Sequence, residues 1–249
     1  MIDTRAEERF YEARLKVLGE SVLDDGIGRL SEKSVHRILK LYIEPDETFH
    51  EIQYLGSVAD IINDDGIHEI QTRSFEKLIP KLEKFLPTLR VCVVIPIICE
   101  KTLRWLDKSS GEISEAKKSP KKESVYTACR ELYKIRRYLT HPNLSIRFIS
   151  LRAEEFRYLD GRDKSGKRGA TKLDRIPTQI VEDISLSSAI ELSRFLSDSL
   201  GDEFTLKELS RVSGFPFSVA SSVVGVFKAI GAVDFLRKEG RVNVYKKIK

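Results

Sequence analysis

The sequence predicts an α/β protein, with a mixed sheet and flanking helices in the first two-thirds and a small module of helices closing on a hairpin at the end. Three observations carry this. The segments TFHEIQYL, SVADIIN and GIHEIQT read as short strands set between stretches of helical period. The run RVCVVIPII is continuously apolar and rich in β-branched residues, the pattern of a strand buried on both faces. From about residue 185 the helical period returns and ends on two short strand-like segments around KEG.

The elements follow in order. TRAEERFYEARLKVLGESVL is an amphipathic helix with Phe10, Leu15 and Leu18 near one stripe, broken by DDGIGRL. SEKSVHRILKLYI is a second helix with Ser31 as its N-cap. Glu32, Val35 and Leu39 fall at i, i+3 and i+7, so Glu32 sits at the N-terminal edge of the inward face. Pro45 ends that helix by removing a backbone donor. Gly56 and the DDG triplet separate three strands into a meander. SFEKLIPKLEKFLP presents Leu78, Leu82 and Phe85 on one side, with Ser74 as a cap and Pro80 marking a kink. After the buried strand, KTLRWLDKSSGEI reads as a hairpin, SVYTACRELYKIRRYL as a helix and LSIRFISL as a strand. DGRDKSGKRGATKLDR has no apolar period and reads as a loop, and RIPTQIVEDI leads out of the domain. SSAIELSRFLSD, TLKELSRVSG and PFSVASSVVGVFKAIG are three helices with a turn at Gly214, and AVDFLRKEGRVNVYKKI is a hairpin. That order describes a winged helix-turn-helix. The expected division is 1–184 for the α/β domain and 185–249 for the winged helix.

Bulk properties bound the function. The chain has 249 residues, 41% hydrophobic and 33% charged, a globular composition. No run reaches a membrane span and the N-terminus is too charged for a signal peptide, so a cytoplasmic location without a membrane partner is expected. Cys92, Cys99 and Cys129 form no disulfide framework, and no Cys/His spacing suits zinc. Charge is unevenly spread. Residues 1–100 hold about 13 Lys/Arg against about 19 Asp/Glu, and residues 101–175 about 20 against about 10. A basic block after an acidic one points to a polyanion.

The acidic block contains the chemistry. If Asp64 and Asp65 form the turn after SVADIIN, Asn63 pairs with Gly66 and Asp60 lies opposite Glu69. If the turn is Asp65-Gly66, Asp60 lies opposite Gln71. Either register puts Asp60, Glu69 and Gln71 on one face with Ile62 and Ile67. Opposed carboxylates in a partly dry place repel, and a divalent cation reverses that sign.

A helix with an inward glutamate, a meander with Asp on its second strand and E-x-Q on its third, then a helix and a buried strand, resembles the PD-(D/E)XK nuclease superfamily over about residues 31–98. The resemblance implies a mixed-sheet, restriction-endonuclease-like core and metal-dependent hydrolysis of phosphodiester bonds in DNA with Mg²⁺ or Mn²⁺. It implies Asp60 and Glu69 as metal ligands, Gln71 in the slot usually held by lysine, and Glu32 as a further catalytic ligand. A neutral amide is no general base, so a scaffold of this kind without efficient chemistry, binding DNA or regulating, is the other reading.

DNA contacts are expected from Arg73, from Lys121 and Lys122 of KKSPKKE, and from Lys164, Lys167, Arg168 and Lys172 of the glycine-rich stretch. In the hairpin wing they are expected from Arg237, Lys238 and Arg241. The third helix of the winged module offers Ser218, Ser221, Ser222 and Lys228 but no arginine, a weak set for base reading. A dimer or intramolecular docking surface is therefore also open there, and a homodimer is among the expected partners.

Overall fold

The computed structural model describes residues 2–23, 34–161 and 170–248. It is an α/β structure with a mixed seven-stranded sheet, a second sheet of three strands, and helices. The first helix, α1 (Thr4–Leu23), buries Ala6, Phe10, Ala13 and Val17. Leu15, expected inward, is exposed. The true stripe is built on small residues, which let α1 lie close to α2 (Ser34–Ile43) and bring Phe10 edge-on to Tyr42 at 6.0 Å. Ile38 and Leu39 of α2 are fully buried, and the helix stops two residues short of Pro45. Ser31, the expected cap, and Glu32, the expected further ligand, lie outside the described residues.

The meander forms as β1 (His50–Tyr54), β2 (Ser57–Asn63) and β3 (Gly66–Ile70). Strands β2 and β3 pair antiparallel with Asn63 opposite Gly66, Ile62 opposite Ile67 and Ile61 opposite His68, so Asp64-Asp65 is the turn. Gly66 has φ +117°, and a Cβ there would stand 2.6 Å from the Arg90 carbonyl oxygen, which accepts the Ile67 N–H at 2.9 Å. Only glycine lets the hairpin tip meet the next strand so closely.

A 3₁₀ turn (Phe75–Leu78) leads into α3 (Ile79–Phe85). Pro80 is in the first turn of α3, where its missing N–H costs little, so the expected kink is a change of helix type. Ser74 does not cap: it sits at φ +60° with no side-chain cap bond. Leu78, Leu82 and Phe85 are buried as expected. The apolar run continues into β4 (Val91–Leu106), parallel to β3 with Glu69 opposite Val93. It turns into the expected hairpin with β5 (Lys117–Lys118). Then come α4 (Val125–Leu132), capped by a Ser124–Thr127 box, a 3₁₀ segment (Tyr133–Tyr138) and β6 (Leu144–Tyr158). RIPTQIVEDI does not lead out of the fold; it lies within β7 (Lys172–Leu186). The sheet order β1-β2-β3-β4-β6-β7, with β5 beside β4, puts β7 at an end, where a strand tolerates Pro177 and lacks clean alternation.

By internal contacts the chain divides into two compact units, each of three pieces: 1–52, 96–123 and 148–183; and 53–95, 124–147 and 184–249. In the first, α1 and α2 are tied to β7 by Arg14 Nε on the Pro177 oxygen at 3.0 Å and Tyr42 Oη on Asp183 at 2.7 Å, and Ser34 bonds Asp174.

In the second unit, SSAIELSRFLSD forms a 3₁₀ segment (Ala189–Phe195) where an α-helix was expected, boxed by Ser188 and Glu191. There follow β8 (Glu203–Thr205), α5 (Leu206–Ser213) closed by Gly214 at φ +67°, a 3₁₀ turn (Phe217–Val219), α6 (Ala220–Ala229), β9 (Val233–Glu239) and β10 (Val242–Lys247). The small sheet runs β8-β10-β9. Helix α6 packs on the 124–147 segment. A Cβ at Gly225 would stand 2.3 Å from the Tyr133 ring, Tyr126 meets Phe215 at 4.8 Å between ring centres, and its Oη donates to the Phe195 oxygen at 2.6 Å. Among the described residues no helix is long and apolar enough to cross a membrane.

Candidate functional site

The register places the acids. One step beyond the Ile61–His68 pair lie Asp60, in the middle of β2, and Glu69, near the end of β3, and there the ladder changes. The Ile70 N–H, instead of meeting a strand carbonyl, donates to Asp60 Oδ2 at 2.7 Å. Asp60 is therefore both a buried carboxylate and a bracket that holds the end of β3.

Glu69 is 1% exposed. Burial, and then the neighbouring Asp60 charge, push its carboxyl up to about 7. The counterweight is Lys81, whose Nζ lies 3.0 Å from Oε1 and 2.8 Å from Oε2 of Glu69. Lys81 comes from the first turn of α3, just after Pro80, and its side chain is 29% exposed. Nothing in the sequence marked it: KLEKF reads as an ordinary solvated helix face. The usable signal was the Leu78–Leu82–Phe85 stripe, since Lys81 adjoins Leu82 on the flank of the helix that faces the sheet.

Gln71 stands where the E-x-Q spacing put it, with its N–H on the Val94 oxygen at 2.9 Å. Its amide nitrogen is engaged by the turn that follows. Nε2 donates to the Arg73 oxygen at 2.5 Å and approaches the Ser74 oxygen at 3.5 Å. It stabilises the turn that carries Ser74 in its left-handed conformation. Arg73 is exposed in that turn.

Among the described residues no group of three His, Cys, Asp or Glu side chains converges as a metal cluster. The donors at hand are two buried carboxylates. Mg²⁺ takes one or two carboxylates with waters and phosphate oxygens, so the oxygen chemistry fits, and Lys81 is the group that would have to yield part of Glu69.

The expected DNA-contacting residues are scattered. Lys121 and Lys122 are exposed in the loop before α4. Lys164, Lys167 and Arg168 lie outside the described residues. Lys172 opens β7 with its ammonium 3.7 Å from Glu155. Arg237 is held by Glu203 at 2.5 Å and Glu239 at 2.7 Å, while Lys238 and Arg241 are exposed at the hairpin tip. Along the SVYTACRELYKIRRYL segment, Arg130 meets Ser218, Lys134 pairs with Glu76 and Glu131, and Arg137 pairs with Glu83. Cys129 is buried, with its thiol pushed up to about 12 by burial, which suits core packing and not a nucleophile.

A family model described as Domain of unknown function (DUF8091) matches residues 33–187, a stretch that contains Asp60, Glu69 and Lys81. An uncharacterised protein of Treponema pallidum (strain Nichols) is 27% identical over 222 residues, 89% of this chain and 84% of that protein. No solved structure matches.

Proposed function

We propose, for a chain that belongs to the family described as Domain of unknown function (DUF8091), a Mg²⁺- or Mn²⁺-dependent hydrolysis of phosphodiester bonds in DNA centred on Asp60 and Glu69. The observation that carries the reading is the pair itself: two carboxylates, buried on adjacent strands, whose burial and proximity push the Glu69 carboxyl up to about 7. Purely structural acids are rarely set against each other at such cost. The strand order and the parallel β3–β4 pairing agree with a restriction-endonuclease-like core of the PD-(D/E)XK kind.

A divalent cation at such a site supplies a polarised phosphoryl oxygen and an acidified water. The chain's own residues have distinct duties. Asp60 and Glu69 offer oxygen ligands. Asp60 also fixes the strand end through the Ile70 N–H. Lys81 supplies the positive charge that the motif lacks at position 71: it partly offsets the burial of Glu69 and stands ready to face a phosphate oxygen. Gln71 shapes the turn behind them.

The element order from β8 to β10 supports a winged helix for residues 185–249, as a module that holds DNA backbone through Lys238 and Arg241. A second reading, a DNA-binding or regulatory protein on a nuclease scaffold without chemistry, is favoured by one observation: Lys81 already neutralises Glu69.

The discriminating variant is Asp60→Asn, which keeps an acceptor for the Ile70 N–H and removes the charge. Wild type should gain thermal stability on Mn²⁺ titration and cleave a mixed panel of single-stranded, duplex and branched DNA, and Asp60→Asn should do neither. Metal stabilisation without cleavage on any substrate would select the non-catalytic reading, and an equal Mn²⁺ shift in Asp60→Asn would end the metal assignment.

A further inference from the structure

The turn between α5 and α6 carries an aromatic side chain that the core does not use. In the run Phe215-Pro216-Phe217-Ser218-Val219, Phe215 and Val219 point inward and are buried, while Phe217 is 61% exposed. Phe215 is pinned from two sides. Tyr126 meets its ring at 4.8 Å between centres, and Ser210 Oγ donates to its backbone oxygen at 2.7 Å. Pro216, at φ −62°, fixes the direction of the chain, and the 3₁₀ turn Phe217–Val219 follows at once. The sequence placed Phe217 inside the third helix; the turn instead presents it outward from an anchored base.

An exposed phenylalanine alone is ordinary. The surroundings of this one are not. Phe217 lines a hollow of ≈ 490 Å³ together with Lys207, Ser210 and Arg211 of α5. The two cations stand at i and i+4 on that helix, where like charges repel. Glu208, the acid of α5, is turned to the helix start. It accepts from the Thr205 N–H at 2.8 Å and hydroxyl at 2.9 Å, and Arg211 acts on it from beyond ion-pair distance. On the other flank, Arg130 Nη2 of α4 donates to Oγ of the neighbouring Ser218 at 3.4 Å. Among the described residues no carboxylate pairs with Lys207, Arg211 or Arg130, and no ring or guanidinium stacks on Phe217. All four belong to the second unit, and no undescribed residue adjoins them in sequence.

An aromatic plane flanked by cations fits a ligand with a flat apolar face and anions on both sides of it. A nucleotide within a strand has that form: its base stacks and the adjoining phosphates meet the cations. A duplex does not offer it, because its bases already stack on each other. The usual duplex entry is also closed here. The α6 face that carries Gly225 lies against Tyr133, so it is not free to lie in a major groove. We propose that Phe217, with Lys207, Arg211 and Arg130, forms a stacking site for a base of single-stranded nucleic acid. The proposal goes beyond the nuclease reading, since it uses neither Asp60 nor Glu69 and needs no metal.

The test uses the full chain in EDTA, so that failure of the metal reading does not touch it. Binding of a labelled single-stranded oligothymidylate and of a duplex of equal length is followed by anisotropy from 50 to 200 mM KCl. Wild type should prefer the single strand. Phe217→Leu keeps an apolar side chain but removes the aromatic face, and Phe217 is exposed, so the core is undisturbed. This variant should bind the single strand at least about five-fold more weakly, the effect of one lost base stack, with its salt slope unchanged. Phe217→Trp should keep the affinity, and the emission it adds should be quenched by the single strand. Lys207→Gln and Arg211→Gln should each flatten the salt slope by about 0.7, one phosphate contact on a single strand. No binding of the single strand by wild type, wild-type single-strand affinity in Phe217→Leu, or an equal loss on the duplex would each overturn the proposal.

Discussion

Protonation of Glu69 is coupled to folding. The Glu69 carboxyl lies near 7 in the folded chain, against about 4.3 in an unfolded one. The folded state therefore keeps a proton that the unfolded state has lost between those values. A raised acid of this kind favours the fold at low pH and loses that advantage as pH rises through about 7. The size is roughly 4 kcal/mol across the window. Urea midpoints of metal-free protein should fall from pH 5 to pH 8, and Glu69→Gln should flatten that slope. A wild-type slope in Glu69→Gln would assign the pH dependence elsewhere. Lys81 works in the opposite sense, because it is the cation that makes an ionised Glu69 tolerable. Lys81→Met removes the cation from buried Glu69 and should cost about 3–5 kcal/mol at pH 8 and much less at pH 5. It should also reduce cleavage more than Gln71→Ala, whose amide serves only the Arg73–Ser74 turn. Equal rates in the two variants would return the lysine slot to position 71.

At the level of elements, two glycines decide close approaches. Gly66→Ala meets the Arg90 carbonyl and adopts a disfavoured φ, so it should cost about 2–3 kcal/mol, read as a lowered urea midpoint. Gly225→Ala gains helix propensity of about 1 kcal/mol but drives a methyl into the Tyr133 ring, an overpacking cost of about 1–3. The clash wins, and the measured change should be a net loss. The seam also accounts for a feature of the sequence. Helix α6 carries Gly225 where it meets Tyr133 of the 3₁₀ segment after α4, and Ser218 in the turn before α6 meets Arg130 of α4. The meander and the buried β4 were legible because a period of two fixes which side chains share a face, while the register of Asp60 stayed open between two turns until the Asn63–Gly66 pair chose one. Strand β7 was not: its burial repeats every third residue and Pro177 interrupts it. Lys81 was not, because its role depends on a helix crossing a sheet, which local pattern does not encode.

For the whole molecule, the partition by contacts interleaves the chain, and the 184–249 segment completes a unit begun at residue 53. Tyr126 and Tyr133 are covered by residues that follow position 194. A chain truncated after residue 184 should therefore expose that face, bind a hydrophobic dye and melt without a sharp transition. A cooperative melt at the full-length temperature would make 1–184 self-sufficient. The acidic site has a different relation to chain order. Asp60, Glu69, Gln71 and Lys81 fall within one continuous stretch and close on each other through short loops. During synthesis these side chains emerge close together and β4 follows soon after, whereas the unit that contains them also needs the distant 184–249 segment. The timing separates assembly from custody: the acidic corner is made early, and a much later stretch of chain decides when it becomes a durable part of the fold.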